Sequence, residues 1–519
     1  MLPEIVTGSN WLNQRVDGVR QRMIHFILPP EPVPLERPSL SQLARPEARL
    51  PRFVAECAVA GKYLDLLGPL DWDLFPERDP TRPWPGPQPA ARAPFVAAFL
   101  VKIDQAKRYM THLRQYLVEH PALVWVLGFE LTPSPDFPWG FDVDASLPSS
   151  RQFSRVLRTL DNDALQFLLS GTVSLIGHEL PEDILFGDVV AGDTKHIIAF
   201  VKENNPKVYL EDRYDKTKQP KGDPDCRLGC KKKRNVSPEQ DTKLSNGAAQ
   251  RQPPGGTPTT NPIPASQARV GEYYWGYASG VIATKVLGWG EFVLAELTLP
   301  FDRSDISYFF PLMADVERRL AFRPRFGAFD MAFEAHYVYD FFYQAGGFAA
   351  IRLSKRGDNT RRFDPDGLPL CAAGLAMPLK STFTCRTAEV HHQRGRYACP
   401  LLHPEPTGQV CPIDHKNWNK AGCLVTMPTS IGARIRYTLD RDSQQFKDIY
   451  KQRTATERVN SLAVELDIER PKLRNGQAIV NQNTLIYVLI NLRALQRVRA
   501  RKARLDHPAM ETEATVTLS

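Results

Sequence analysis

Two aspartates stand in apolar surroundings where a strand pattern runs: Asp193 in Val189-Val190-Ala191-Gly192-Asp193-Thr194, and Asp330 in Gly327-Ala328-Phe329-Asp330. A glutamate, Glu457, falls far downstream in a helical pattern. Tyr450, Arg453 and Glu457 are spaced i, i+3, i+7, which on one continuous helix sets them in a single stripe. Three carboxylates that converge repel one another unless a divalent cation neutralises them. Hard oxygens with open positions suit Mg²⁺ or Mn²⁺. Two such ions activate an attacking oxygen and stabilise a leaving one in phosphoryl transfer. Each residue also has a plainer reading, since an aspartate ending a strand is usually a turn residue. Spacing alone does not bring the three together.

Cysteine and arginine supply the other candidates. Cys371, Cys385, Cys399, Cys411 and Cys423 are spaced twelve to fourteen apart, with no Cys-x₂-Cys pair, and His415 lies four after Cys411. Two readings stand: buried free thiols, or one structural Zn²⁺ on Cys371, Cys399, Cys411 and Cys423, with Cys385 or His415 as substitute. Cys226 and Cys230 sit beside the Lys231 to Arg234 run. Arg151, Arg155 and Arg158 share a helix face, either solvated or laid along DNA phosphates. Arg493, Arg497, Arg499, Arg501, Lys502 and Arg504 have no acid among them, which suits a frayed helix or a phosphate anchor.

The elements that must position these residues read as follows. Residues 1–94 are proline-rich, and Pro80 to Pro94 reads as an extended tether. Residues 95–180 form a helical domain, with helices from Phe95 to Glu119 and from Ser149, capped with Gln152, toward Ile176. Residues 181–203 and 270–355 alternate as β-β-β-α-β-α-β, including a hairpin across Gly288 and Gly290. Between them, 204–269 is a polar insertion expected to be mobile. Residues 356–430 hold the cysteines with little periodicity. Residues 431–505 carry helices from Asp440 to Glu465 and Gln482 to Leu495, and 506–519 is a tail.

The chain has 519 residues, 42% hydrophobic and 24% charged, so a wholly disordered or fibrous chain is excluded. The 44 prolines exceed the average and demand loops. A net charge of +8 mildly favours polyanionic partners. No apolar run is long enough to span a bilayer, no secretion signal is visible, and a cytoplasmic location is expected.

Tyr450-Lys-Gln-Arg453-Thr-Ala-Thr-Glu457 resembles the Tyr-x₂-Arg-x₃-Glu signature of DDE transposases from bacterial insertion sequences. Val-Ala-Gly-Asp193-Thr and Gly-Ala-Phe-Asp330-Met-Ala-Phe333 resemble that family's first and second acidic motifs. Tyr274-Trp275-Gly276-Tyr277 resembles the opening of its second strand. The resemblance spans residues 90–500. Some members carry a basic residue seven positions after the glutamate, where this chain has Val464.

The resemblance implies an α/β chain, α+β overall. A helical N-terminal DNA-binding domain would precede an RNase H-like mixed-sheet catalytic domain, with a cysteine-containing insertion before the last catalytic helix. It further implies Asp193, Asp330 and Glu457 as catalytic ligands of two Mg²⁺ or Mn²⁺ ions. DNA would contact Tyr450, Arg453, Arg151, Arg155, Arg158, Arg497 and Arg501. The expected activity is cleavage at transposon ends and transfer of the 3′-hydroxyl strand into target DNA, by at least a dimer on the nucleoid. A metal-dependent nuclease without strand transfer, or a non-catalytic DNA-binding descendant, are the alternatives.

Overall fold

The computed structural model describes residues 37–232, 271–353, 361–386, 390–413 and 417–506, apart from positions 80, 82, 84, 87 and 419. The chain divides into two units: residues up to 175 with 466–496, and residues 176–465 with those from 497 onward.

The first unit is helical. Its helices include α1 (Ala58–Leu67), α2 (Ala93–Asp104), α3 (Met110–Val118), α4 (Pro121–Leu127) and α5 (Ser150–Thr159), then α6 (Asn162–Glu179) up to residue 175. Phe95 to Ile103 are buried without a gap, Lys102 included, so α2 is buried on every face and central to its unit. The expected helix from Phe95 to Glu119 is two, broken where Ala106 turns to φ 49°. The helix from Ser149 also breaks, at Leu160. Its cap is half of the expected box: Ser149 Oγ accepts from the Gln152 amide at 3.2 Å.

The residues ahead of the expected Pro80 to Pro94 tether are packed. Tyr63, Leu67, Trp72 and Phe75 are buried in this helical unit. The described positions from Pro76 to Arg92 hold neither helix nor strand, as their prolines dictate, whereas Pro94 sits in the first turn of α2.

A long helix, Gly476–Asp506, extends well past the expected Gln482–Leu495. Toward its N-terminal end the polar residues Asn481 and Gln482 are buried with partners. Asn481 donates to the carbonyls of Leu157 and Leu160 at 2.8 Å, and Gln482 accepts from Lys102 at 3.1 Å. Satisfied amides let a helix stay buried beyond its apolar stretch.

The second unit is built on a mixed sheet, α/β in class. Its strands are β1 (Val189–Ile198), β2 (Arg227–Lys232), β3 (Gly271–Val286), β4 (Gly290–Pro300), β5 (Phe326–Phe329) and β6 (Phe348–Ile351). β3 pairs antiparallel with β1, β2 and β4, while β1, β5 and β6 run parallel in that order. The expected β-β-β-α-β-α-β order gains a strand, because β2 lies in the stretch expected to be an insertion; Phe309–Leu320 and His336–Gln344 are the two helices. Gly288 and Gly290, at φ 80° and 139°, make the hairpin turn.

The insertion differs from expectation. Residues 233–270 lie outside the described residues, but 204–232 are tied to the sheet. The Trp275 indole donates to the Arg213 carbonyl and the Tyr277 hydroxyl donates to Asp223, both at 2.8 Å. Those contacts account for two aromatics of the Tyr274-Trp275-Gly276-Tyr277 run. Cys226 is wholly buried, and Cys230 is on β2 rather than in a loose loop.

The cysteine-containing segment also has order that periodicity did not reveal. Leu379–Cys385, His392–Ala398 and Leu424–Pro428 form a separate antiparallel sheet over a small core of Met377, Tyr397 and Met427. Three short helices follow: α7 (Ile431–Thr438), α8 (Gln444–Lys451) and α9 (Thr454–Glu465). The expected single helix from Asp440 to Glu465 is therefore interrupted.

Candidate active site

β1 and β5 pair in parallel with Gly192 opposite Phe329. Asp193 and Asp330 each come one residue later, so two neighbouring strands deliver two carboxylates side by side. A Cβ on Gly192 would come within 2.4 Å of the Phe329 ring, and glycine is what lets that ring cross.

Asp193 is held from two sides. Its Oδ1 accepts from the Thr194 amide at 2.9 Å, and its Oδ2 accepts from Asn460 Nδ2 at 3.0 Å. Burial pushes its carboxyl up to about 6, and the charges of Asp330 and Asp305 act in the same direction. The Thr194 amide and Arg453 work against them. Asp305 is fixed nearby by the Thr194 hydroxyl at 2.7 Å. Asp330 also plays the plainer part foreseen for it, capping a 3₁₀ turn by accepting from the Ala332 amide at 2.8 Å.

Glu457 arrives on α9, which packs over β1, β3 and β4. It lies in the first turn of that helix, where the N-terminal dipole favours an anion. Its side chain is half exposed and forms an ion pair with Arg453. Burial would lower the Arg453 guanidinium, but Glu457, Tyr450 and Asp193 outweigh it and hold it above its ordinary value.

The single stripe of Tyr450, Arg453 and Glu457 is corrected. The helix breaks between α8 and α9, so Tyr450 ends one helix and Glu457 begins the next. Tyr450 stacks on Phe446 at 5.9 Å, with the guanidinium of Arg352 over its ring at 4.6 Å and that of Arg453 at 5.9 Å.

Among the described residues, no group of three or more His, Cys, Asp or Glu side chains is arranged to hold a metal ion. Asp193 and Asp330 come together; Glu457 is turned onto Arg453. The donor chemistry nonetheless fits a hard cation. The carboxylates are oxygen donors, and Asn460 Oδ1 beside them is buried without a hydrogen-bond partner.

The zinc expectation fares differently. Cys371, Cys399 and Cys423 converge, and burial with the other two thiols pushes the Cys423 thiol up to about 12. A four-cysteine site including Cys411 is not assembled among the described residues, and His415 lies outside them. Cys371 and Cys423 pack against the segment's small core of Met377, Tyr397 and Met427.

Arg151, Arg155 and Arg158 are exposed on α5, opposite the buried Phe153 and Leu157. Arg155 and Arg92 lie close enough to Arg78 to help lower its guanidinium, after burial. Spacing could not have grouped these arginines, which are far apart in the chain. Near the C-terminus Arg497 is exposed, whereas the Arg501 guanidinium lies over the Trp289 ring at 5.1 Å. Arg499 and Lys502 pair with Glu179. No helix among the described residues is long and apolar enough to cross a membrane.

Sequence reasoning missed Asn460, Asp305 and Arg352. For Asn460 a signal existed, because it follows Glu457 by three and therefore shares its helix face.

Close to Asp330, His336 is pushed down to about 4, by burial first and then by the cation of Arg436. Arg394 and His392 add to this, and the Ala433 carbonyl opposes it at 3.4 Å. The folded pKa lies below the unfolded value of about 6.5. Its stabilising share is therefore complete above that pH and is lost as pH falls toward 4. We expect stability to drop by about 2–3 kcal/mol over that window from this group. Urea unfolding at pH 7 and pH 4.5 measures it. His336→Gln should flatten the slope, and an unchanged slope would refute the assignment.

No protein-family model, curated protein or solved structure matches the chain.

Proposed function

We propose that this chain is a DDE-type transposase with an RNase H-like catalytic unit. The observation that carries the reading is the pairing of Asp193 with Asp330 across two parallel strands, under a helix that bears Glu457. A mixed sheet with one aspartate on a central strand, another ending its parallel neighbour and a glutamate on a covering helix supports it.

Asp193, Asp330 and Glu457 would hold Mg²⁺ or Mn²⁺. Such ions supply activation of an attacking oxygen and stabilisation of a leaving one. The chain's own residues do the rest. Thr194 and Asn460 fix the orientation of Asp193. Arg453 neutralises Glu457 until that carboxylate turns inward, and its guanidinium is then free to grip a phosphate of the DNA. Tyr450, braced by Phe446 and Arg352, keeps Arg453 in place. The exposed Arg151, Arg155 and Arg158, joined by Arg78 and Arg92, supply phosphate contacts that position DNA without reading its sequence. Arg497 and Arg501 are assigned the same role at the other end of the chain. Water is the first nucleophile, cutting the phosphodiester at the element's end. The freed 3′-hydroxyl is the second, attacking target DNA. Two ends must be joined, so the working form is at least a dimer.

The test uses DNA flanking the gene. Short inverted repeats found there are built into labelled duplexes and incubated with the protein and Mg²⁺. Cleavage at the repeat end followed by joined product is expected. Cleavage without joining would assign the chain to the nucleases, and binding without cleavage to the non-catalytic descendants.

A further inference from the structure

We propose that Asn460 belongs to the cation site, its Oδ1 supplying a neutral oxygen ligand to the divalent ion held by Asp193. The inference rests on the reading of Asp193 as a metal ligand and deepens it.

Four observations carry it. Asn460 is 8% exposed, yet its Oδ1 is buried with no hydrogen-bond partner. A buried amide oxygen left unpaired is costly, and native proteins leave few of them without a purpose. The other atom of the same amide, Nδ2, donates to Asp193 Oδ2 at 3.0 Å. The orphan oxygen thus lies within the width of one amide group from the Asp193 contact.

That contact also settles which way the amide faces. An ionised carboxylate accepts and cannot donate, so the nitrogen must meet Asp193 and the oxygen must be the atom left over. Finally, Asn460 lies three residues after Glu457 on α9, on the same face of a helix packed over β1.

The arrangement has a chemical logic. Carboxylates crowded around a buried cation need further oxygens to complete six-fold coordination, and each added carboxylate would increase their repulsion when the ion is absent. An amide supplies the oxygen without the charge. Its N–H meanwhile holds Asp193 in one orientation before the ion arrives.

Mn²⁺ binding, followed by loss of the free-ion electron paramagnetic resonance signal, tests this without measuring activity. The full chain, Asp193→Asn, Asn460→Ala and Asn460→Asp are titrated with Mn²⁺ alone, and each fold is checked by circular dichroism. We expect the wild type to bind, Asp193→Asn to lose that binding, and Asn460→Ala to bind at least about tenfold more weakly. Asn460→Asp keeps the volume and the oxygen, so it should bind as tightly as the wild type or tighter. It should also gain more thermal stability from Mn²⁺ than the wild type does.

Asn460→Ala binding within twofold of the wild type overturns the proposal while leaving Asp193 as a ligand. Should Asn460→Ala not fold, Asn460→Asp decides, and weaker binding there overturns it equally. A wild type that binds no Mn²⁺, or an Asp193→Asn variant that binds as well as it does, removes the underlying cation site and the proposal with it.

Discussion

Asp193→Asn is expected to lose DNA cleavage on the order of a thousandfold, while its thermal stability without divalent ions stays level or rises. Both halves follow from the same contacts. Burial already disfavours the charged Asp193 carboxyl, and Asp330 and Asp305 repel it further. Removing the charge relieves that repulsion. The hydrogen-bond geometry survives because Asn460 turns its amide over and offers its oxygen to the new amide.

Function and stability thus pull in opposite directions at this position, as they do where a site is built for a ligand. Asp330→Asn and Glu457→Gln should lose cleavage similarly. On the proposed reading all three should keep most DNA binding, since the phosphate contacts proposed for the α5 arginines lie away from these carboxylates. Gel shift, strand-cleavage assay and calorimetry on the same preparations provide the comparison. Cleavage retained to within about tenfold would remove Asp193 from the site. A melting temperature that falls along with activity would make its role merely structural.

Glu334→Ala is expected to lower stability by about 2–4 kcal/mol, because it strips a mostly buried cation of its partner. Arg436 donates to Glu334 Oε1 from Nε at 2.6 Å, and the two side chains are only 16% and 10% exposed. Glu334 follows Asp330 by four residues, so this pair anchors the turn that carries the second aspartate to α7. The stranded Arg436 would also face His336, whose imidazole it already disfavours in charged form.

Replacing both partners by apolar residues of similar volume, as in Glu334→Leu with Arg436→Met, should recover most of the loss. Urea unfolding of the single and double variants measures the cycle. If the double variant is no better than Glu334→Ala, the loss comes from packing and the charge argument fails.

Most of the mixed sheet was legible because its strands carry apolar runs bounded by turns; β2, Arg-Leu-Gly-Cys-Lys-Lys, carries none and was not. Gly192-Asp193 and Phe329-Asp330 stood out for the same reason, since polar residues are conspicuous in such runs. Helix breaks were not legible. Gln452 and Arg453 are ordinary helix formers, so the tight turn in which their amides bond to the carbonyls of Ile449 and Tyr450 leaves no mark in residue type. The cysteine-containing segment was misread for a related reason. Its first strand is mostly exposed and the other two mix buried and half-buried positions without strict alternation, and its core is assembled from Met377, Tyr397 and Met427, which are distant in sequence.

By itself, the amino-acid sequence determined the strands around Asp193 and Asp330 and the Gly288–Gly290 hairpin, the apolar settings of the two aspartates, and the arginine face of α5. These are local properties, carried by periodicity and residue type. Only the tertiary structure decided that β1 and β5 are parallel neighbours and that Asn460 meets Asp193. Each of those contacts joins segments through backbone pairing or burial, and no local pattern encodes which distant segment will supply the partner.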